Sequence, residues 1–291
     1  MLKISVPATS ANLGPGFDSI GLALDMQLSL TVIGPSQTWQ VEHPFGEKVP
    51  NDTRNLIVKT ALSLAPHLAP QRIQVTSEIP LARGLGSSST AIVAGLVLAN
   101  ELVATPLSKR DLLFKATELE GHPDNVAPAI LGGLVVATVA DQQVQAVQLP
   151  TPDLFASVYV PNEELLTSAS RRALPTTLPF KQAIAGSSVG NTLVAALAMK
   201  NWSLALALLE QDQFHEQYRA KLVPALTTIR ETAHTLGLVG TYLSGAGPTI
   251  VTLGHKVDLM RLQTKLQQNP ALTGQYHLLS IDAQGVTVTK S

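Results

Sequence analysis

The 291-residue sequence contains no cysteine. That absence removes disulfides, thiolate nucleophiles and Cys-ligated zinc together, and it fits a reducing compartment. Aromatic residues make up only 4% of the chain, so any core must be packed from Leu, Val, Ile and Ala. Charge is also scarce, at 14%, and nearly balanced, with 20 Lys and Arg against 21 Asp and Glu. No net field is available to attract nucleic acid or an anionic membrane surface, which leaves small molecules as the expected partners. The apolar run from Ala91 to Ala99 is about half the ~20 residues of a membrane span. The opening residues, MLKISVPATSANLG, lack the apolar stretch of a signal peptide, and a cytoplasmic location is expected.

What is present is apolar material, 45% of the residues, in a chain longer than a single core usually supports. Two domains sharing a cleft are therefore expected, with the change near residue 150, where Pro150, Pro152, Pro161, Pro175 and Pro179 interrupt the pattern. This gives a first unit of residues 1–150 and a second of 151–291. Leu22, Leu24, Met26, Leu28, Leu30 and Val32 alternate with small or polar residues, the period of a half-buried strand. Arg72 to Ile79 is a second strand, stopped by Pro80, and Ser88 to Val103 reads as a helix. Two strands are expected around Ala140 to Gln143 and another from Phe155 to Val160. Helices are expected over 191–199, 203–220, 224–236 and 256–268, with strands flanking Gly245 and Gly247. The class is α+β.

Between the second strand and its helix lies Pro80-Leu81-Ala82-Arg83-Gly84-Leu85-Gly86-Ser87-Ser88-Ser89-Thr90. Two glycines let backbone N–H groups turn inward and the helix start adds unpaired donors, so the segment suits a polyphosphate. Ser87 and Ser88 can offer hydroxyls to phosphate or magnesium. The spelling is neither a P-loop nor a dinucleotide fingerprint, and a plain serine-capped helix entry is the competing reading. A second motif, Gly186-Ser-Ser-Val-Gly190, satisfies G-x-S-x-G and raises a serine hydrolase with Ser188 as nucleophile. The short polar segment before it is a poor match to the buried strand such an elbow requires.

The loop's P-x-x-x-G-L-G-S-S-S resembles the central motif of the kinase superfamily named for galactokinase, homoserine kinase, mevalonate kinase and phosphomevalonate kinase (GHMP). Val6-Pro-Ala-Thr-Ser-Ala-Asn-Leu-Gly-Pro-Gly-Phe-Asp18 is similar to the N-terminal motif of homoserine kinases in particular, and Ser244-Gly-Ala-Gly-Pro-Thr-Ile to the C-terminal glycine motif. The three stand in the family's order across residues 6 to 250. The resemblance implies a two-domain fold whose first half is like domain 2 of ribosomal protein S5 and whose second half is ferredoxin-like. It implies ATP and Mg2+ as cofactors, a homodimer as the possible assembly, and phosphorylation of the L-homoserine hydroxyl in threonine biosynthesis. Another small alcohol, such as an isoprenoid intermediate, is the alternative acceptor.

An amino-acid acceptor needs an anion for its ammonium, a cationic fork for its carboxylate and a polar group at its hydroxyl. Asp18 suits the ammonium and Asn12 the hydroxyl. By resemblance Arg171, with Arg172 as competitor, and Arg219 grip the carboxylate. In Thr117-Glu-Leu-Glu-Gly-His-Pro-Asp-Asn125, the resemblance makes Glu118 the magnesium carboxylate beside Ser88, with Glu120 as the alternative, and puts Asp124 and Asn125 at the acceptor. His122 is expected to position the loop. Mevalonate kinases carry an aspartate, proposed as base, where Asn125 stands, and an amide cannot play that part. Catalysis is therefore expected to rest on positioning by Asn12 and Asn125. Adenine is expected near Asn55, with residues 80–90 around the phosphates.

Overall fold

The computed structural model describes residues 1–290. The chain starts with an antiparallel pair, β1 (Leu2–Ala11) and β2 (Ile20–Pro35), and the alternation at Leu22 to Val32 lies within β2. There follow β3 (Gln40–Glu42), α1 (Leu56–Leu64), β4 (Gln71–Ser77), α2 (Ser87–Leu102), α3 (Lys109–Glu120), α4 (Pro123–Leu131), β5 (Leu134–Ala140) and β6 (Gln143–Leu149). At its end β2 pairs with β4, and at its start, over Ile20 to Leu22, with β5. One long strand thus joins the two ends of a seven-stranded sheet. The glycine-rich turn lies between β4 and α2. Helix α2 is buried over nearly its whole length from Ser89 to Asn100, so it is apolar on every side instead of striped. Gly95 permits this burial: a Cβ there would sit 2.4 Å from the Ile57 carbonyl oxygen of α1.

The second half comprises β7 (Phe155–Pro161), α5 (Thr167–Arg172), α6 (Phe180–Ala198), α7 (Trp202–Leu209), α8 (Glu216–Arg219), α9 (Ala225–Thr235), β8 (Thr241–Leu243), β9 (Ile250–Gly254), α10 (Lys256–Leu266), β10 (Gly274–Ser280) and β11 (Thr287–Lys290). Its four antiparallel strands lie in the order β10-β7-β9-β8. With α9 before β8 and α10 before β10 this is the βαββαβ arrangement of a ferredoxin-like unit, with α5 to α8 inserted after its first strand. Strand β7 alternates between two cores. Ala156, Val158 and Val160 face the large core of the first sheet, whereas Tyr159 joins Leu226, Ile229, Leu259 and Leu262 of α9 and α10.

Three sequence expectations change. The second unit does not hold the chain to its end, because β11 pairs with β1, Leu2 opposite Lys290. The helix expected over 203–220 breaks after Leu209, since the Asp212 carboxylate accepts from the backbone N–H groups of Phe214, His215 and Glu216 and starts a new turn. The helix expected at 191 begins at Phe180 and runs through the G-x-S-x-G motif. Ser188 is thus an exposed mid-helix residue, not a nucleophile at a strand end, and Gly186 is there to admit the Phe214 ring. Among the described residues no helix is long and apolar enough to cross a membrane.

Candidate active site

Gly84 and Gly86 hold φ values of 78° and 68°, in the left-handed region, and both approaches are too close for a side chain. A Cβ on Gly84 would lie 2.6 Å from the Ser244 carbonyl oxygen, and one on Gly86 2.0 Å from Thr9 Oγ1. Gly86 caps α2 without a side chain, so the first amides of that helix are left for another acceptor. They border a cavity of about 250 Å3 lined by Asn12, Asp18, Gly84, Gly86, Ser87 to Ser89, Glu120, His122, Asp124, Asn125, Arg171 and Arg219. A second, mostly apolar cavity of about 190 Å3 lies beside it, with Leu28, Val41, Phe45, Ile57, Val75, Leu81, Thr90 and Asn55 in its wall. Ser87 and Ser88 line both. The Asn55 amide is committed to the α1 cap, accepting from Ile57 N–H and donating to the Pro50 carbonyl. Not all of the turn faces these spaces: Pro80, Arg83 and Leu85 line neither cavity. Arg83 reaches across to the carbonyls of Pro161 and Asn162, and the Leu85 side chain is in the core.

The magnesium carboxylate expected at Glu118 is corrected. Residues two apart on a helix point to different faces, and Glu118 lies half exposed with Lys115 at 2.8 Å. Glu120 instead enters the cavity, where its carboxylate accepts a 2.9 Å hydrogen bond from Ser89 Oγ. Burial raises its pKa above the ordinary carboxylate value, against the lowering pull of that bond and of His122. His122 Nδ1 bonds the buried Asp124 carboxylate. Burial alone would lower the imidazole pKa, but that bond and the charges of Asp124, Asp18 and Glu120 outweigh it and raise it. Asp124 also accepts from Asn125 Nδ2, while Asn125 Oδ1 takes the Thr9 hydroxyl at 2.8 Å. The carboxylates of Asp18 and Asp124 and the His122 ring lie close enough to share one cationic group.

The opposite wall is cationic. Asn12, itself at φ 74°, ties the first loop to the second half by donating to the Gly245 carbonyl and accepting from Asp18 N–H. Arg171 makes a two-pronged contact with Asp18 at 2.8 and 3.2 Å, whereas Arg172 is outside the cavity. Arg219 is only 2% exposed and has no carboxylate partner among the described residues. Burial, helped by the nearby charge of Arg171, lowers its pKa to about 10. Both guanidinium carbons lie over the Phe17 ring, at 5.4 Å for Arg219 and 5.7 Å for Arg171. Gly245 is held against Ala11, and Ala246 receives the Ser170 hydroxyl. Sequence reasoning passed over Thr9, Phe17 and His215. The first two stood inside a motif already singled out, and the third is one helical turn before Arg219.

Family models agree with this architecture: the GHMP kinases N terminal domain matches residues 55–133 and the GHMP kinases C terminal model residues 193–271. The chain is 71% identical, over the full length of both, to a homoserine kinase of Lactiplantibacillus plantarum. It is 53% identical over the full length of both to one of Leuconostoc mesenteroides. Among solved structures, a homoserine kinase from Cytophaga hutchinsonii superposes with a TM-score of 0.86 at 30% identity, covering 99% of this chain and 97% of that one. A glycine turn opening on a polar cavity, a buried cation facing an acidic cluster, and full-length identity of this order lead to one conclusion: the chain belongs to the GHMP kinases and, within them, to the homoserine kinase family.

Proposed function

We propose that this chain transfers the γ-phosphoryl group of ATP to the hydroxyl of L-homoserine, releasing O-phospho-L-homoserine and ADP. The observation that carries the choice of acceptor is Arg219. A buried guanidinium without a counter-carboxylate is costly, and it is explained if the cavity receives an anion. Across the same cavity the carboxylates of Asp18 and Asp124 offer a site for a cation. The two poles suit a zwitterion, and an isoprenoid alcohol has no ammonium to meet the second. In this reading the acceptor separates Arg171 from Asp18, its carboxylate taking the arginine and its ammonium the aspartate, so that each charge is paired again.

The apolar cavity suits adenine, and the amides of Ser87 to Ser89 suit the phosphates that continue into the polar cavity. The donor set also fits magnesium: Glu120 is a carboxylate whose charged form burial disfavours, with one hydroxyl donor, and Ser88 lines the same cavity. Glu120 and Ser88 would hold the ion, which when bound neutralises charge on the phosphate oxygens. The residues of the chain then supply alignment. Because Thr9 occupies Asn125 Oδ1, the amide presents its Nδ2 side, a donor that can orient the acceptor oxygen but cannot take its proton. Asn12 has one Nδ2 hydrogen beyond its bond to Gly245 for the same oxygen. No general base is required in a loose transition state, since the proton can leave late to phosphate or water. ATP use agrees with the cytoplasm as the site of action.

A coupled ADP-release assay tests this. Homoserine should give turnover, whereas mevalonate and 4-diphosphocytidyl methylerythritol should not. Turnover on either isoprenoid with none on homoserine would overturn the assignment.

A further inference from the structure

Arg219 has to be aimed without the carboxylate that ordinarily fixes a buried arginine. Its Nη1 donates to the Gly245 carbonyl at 3.0 Å and to His215 Nδ1 at 3.2 Å, and its Nε approaches the Ser170 carbonyl at 3.5 Å. His215 is fully buried and does not line the cavity. Its other nitrogen, Nε2, lies 2.9 Å from the Gly14 carbonyl. A carbonyl only accepts, so the ring proton sits on Nε2 and Nδ1 is left as an acceptor, directed at the guanidinium. The imidazole also stacks on Phe17, 5.2 Å between centroids at 25°, the ring over which both guanidinium groups lie.

We infer that His215 is a positioning residue for the acceptor carboxylate: with Phe17 behind it, its Nδ1 occupies one edge of Arg219 and leaves the remaining N–H groups turned toward the cavity. It joins Gly14 of the first loop to Arg219 of α8, so the cation is registered to the half that holds Asp18. Substrate never touches it. The inference rests on homoserine being the acceptor, and it predicts an effect confined to acceptors that carry a carboxylate.

The test uses two substitutions that keep different nitrogens. His215→Gln retains a donor near the Nε2 position but no acceptor at Nδ1, whereas His215→Asn places an amide oxygen near Nδ1. Steady-state kinetics would be run on the full-length chain with homoserine and with 3-aminopropan-1-ol, the same acceptor without its carboxylate. His215→Gln should raise KM for homoserine about tenfold, the weight of one hydrogen bond to a charged group, with kcat and KM for ATP within about twofold. His215→Asn should recover most of that loss, and neither should change kcat/KM for the amino alcohol. An unmoved homoserine KM in His215→Gln, no recovery in His215→Asn, or equal losses on both acceptors and ATP would overturn the inference. Should His215→Gln fail to fold, Phe17→Leu must give the same split between acceptors. A wild-type chain inert toward homoserine would instead sink the functional reading itself.

Discussion

Replacing Arg219 by methionine separates the cost of burying this charge from its use. Burial is the chief cause that lowers its pKa from the ordinary arginine value to about 10. Between those values the unfolded chain binds more protons than the folded one, so stability rises with pH across that window. At neutral pH both states are protonated and the whole penalty stands. At about 1.4 kcal/mol per pKa unit, that drop is a penalty on the order of 3 kcal/mol. Against removal stand the N–H given to His215 Nδ1, about 1 kcal/mol, and the Phe17 contact, about 0.5–1 kcal/mol. The Gly245 carbonyl keeps Asn12 as a donor, and methionine is flexible enough to fill the space. Arg219→Met should therefore be more stable than the parent by roughly 1–2 kcal/mol, a Tm increase of a few degrees for a chain of this size. KM for homoserine should rise about a hundredfold, because truncating one side of a buried, hydrogen-bonded charge pair costs about 2–5 kcal/mol. Ligand-free thermal melts and the ADP-release assay measure the two effects. A lower Tm, or a homoserine KM within threefold of the parent, refutes the reasoning.

Glu120→Gln should lower kcat/KM by about a hundredfold while Glu118→Gln stays within about twofold, since only the former removes a cavity carboxylate. Because burial raises the Glu120 pKa, the folded chain takes up that proton before the unfolded one. Denaturant unfolding of the ligand-free chain should show this group adding stability as pH falls through the folded pKa, an increment missing in Glu120→Gln. His122 runs in the same direction: its raised pKa contributes stability that is complete below 6.5 and lost as pH rises through the folded value. His122→Gln should flatten that stretch of the curve, and an unchanged profile would count against the pairing with Asp124. In Gly86→Ala the new methyl would displace Thr9 and with it Asn125, so kcat should drop about a hundredfold, and a fall of less than threefold would show that the Thr9 contact does not align catalysis.

What could be read in the residues was what local rules govern. Strand β2 showed because only one of its faces is wet, and the turn before α2 showed because positive φ selects glycine. Strand β1 did not show, because it is buried on both sides and carries Thr9 and Ser10, polar residues at 0% exposure with partners distant in sequence. The helix expected only from 191 starts at Phe180, and its Gly186 and Gly190 are the places where Phe214 and the Pro15 carbonyl approach α6. The choice between Glu118 and Glu120 was open to a phase argument. Ser108 caps α3, whose buried residues are Leu112, Leu113, Ala116 and Thr117. Glu120 continues that stripe at i+4 and i+3, and Glu118 does not.

The cavity lies on the seam of two sheets, and the seam is built so that neither half can hold the geometry alone. The Gly84 carbonyl can only accept, so Ser244 donates to it at 2.6 Å, Ser10 donates to Ser244 at 2.8 Å, and Tyr242 donates to Ser10 at 3.0 Å. All three hydroxyl-bearing residues are fully buried. Parting the halves would exchange these three hydrogen bonds for bonds to water, a net loss of about 0.5–1.5 kcal/mol apiece, on top of the Asn12 bond to Gly245. The turn that would hold phosphates and the loop that would hold the acceptor are therefore fixed to each other by the same chain of bonds. Alignment between donor and acceptor is then a property of the folded seam and does not wait on a hinge, which suits the proposed reaction, whose catalysis would rest on placement without a base.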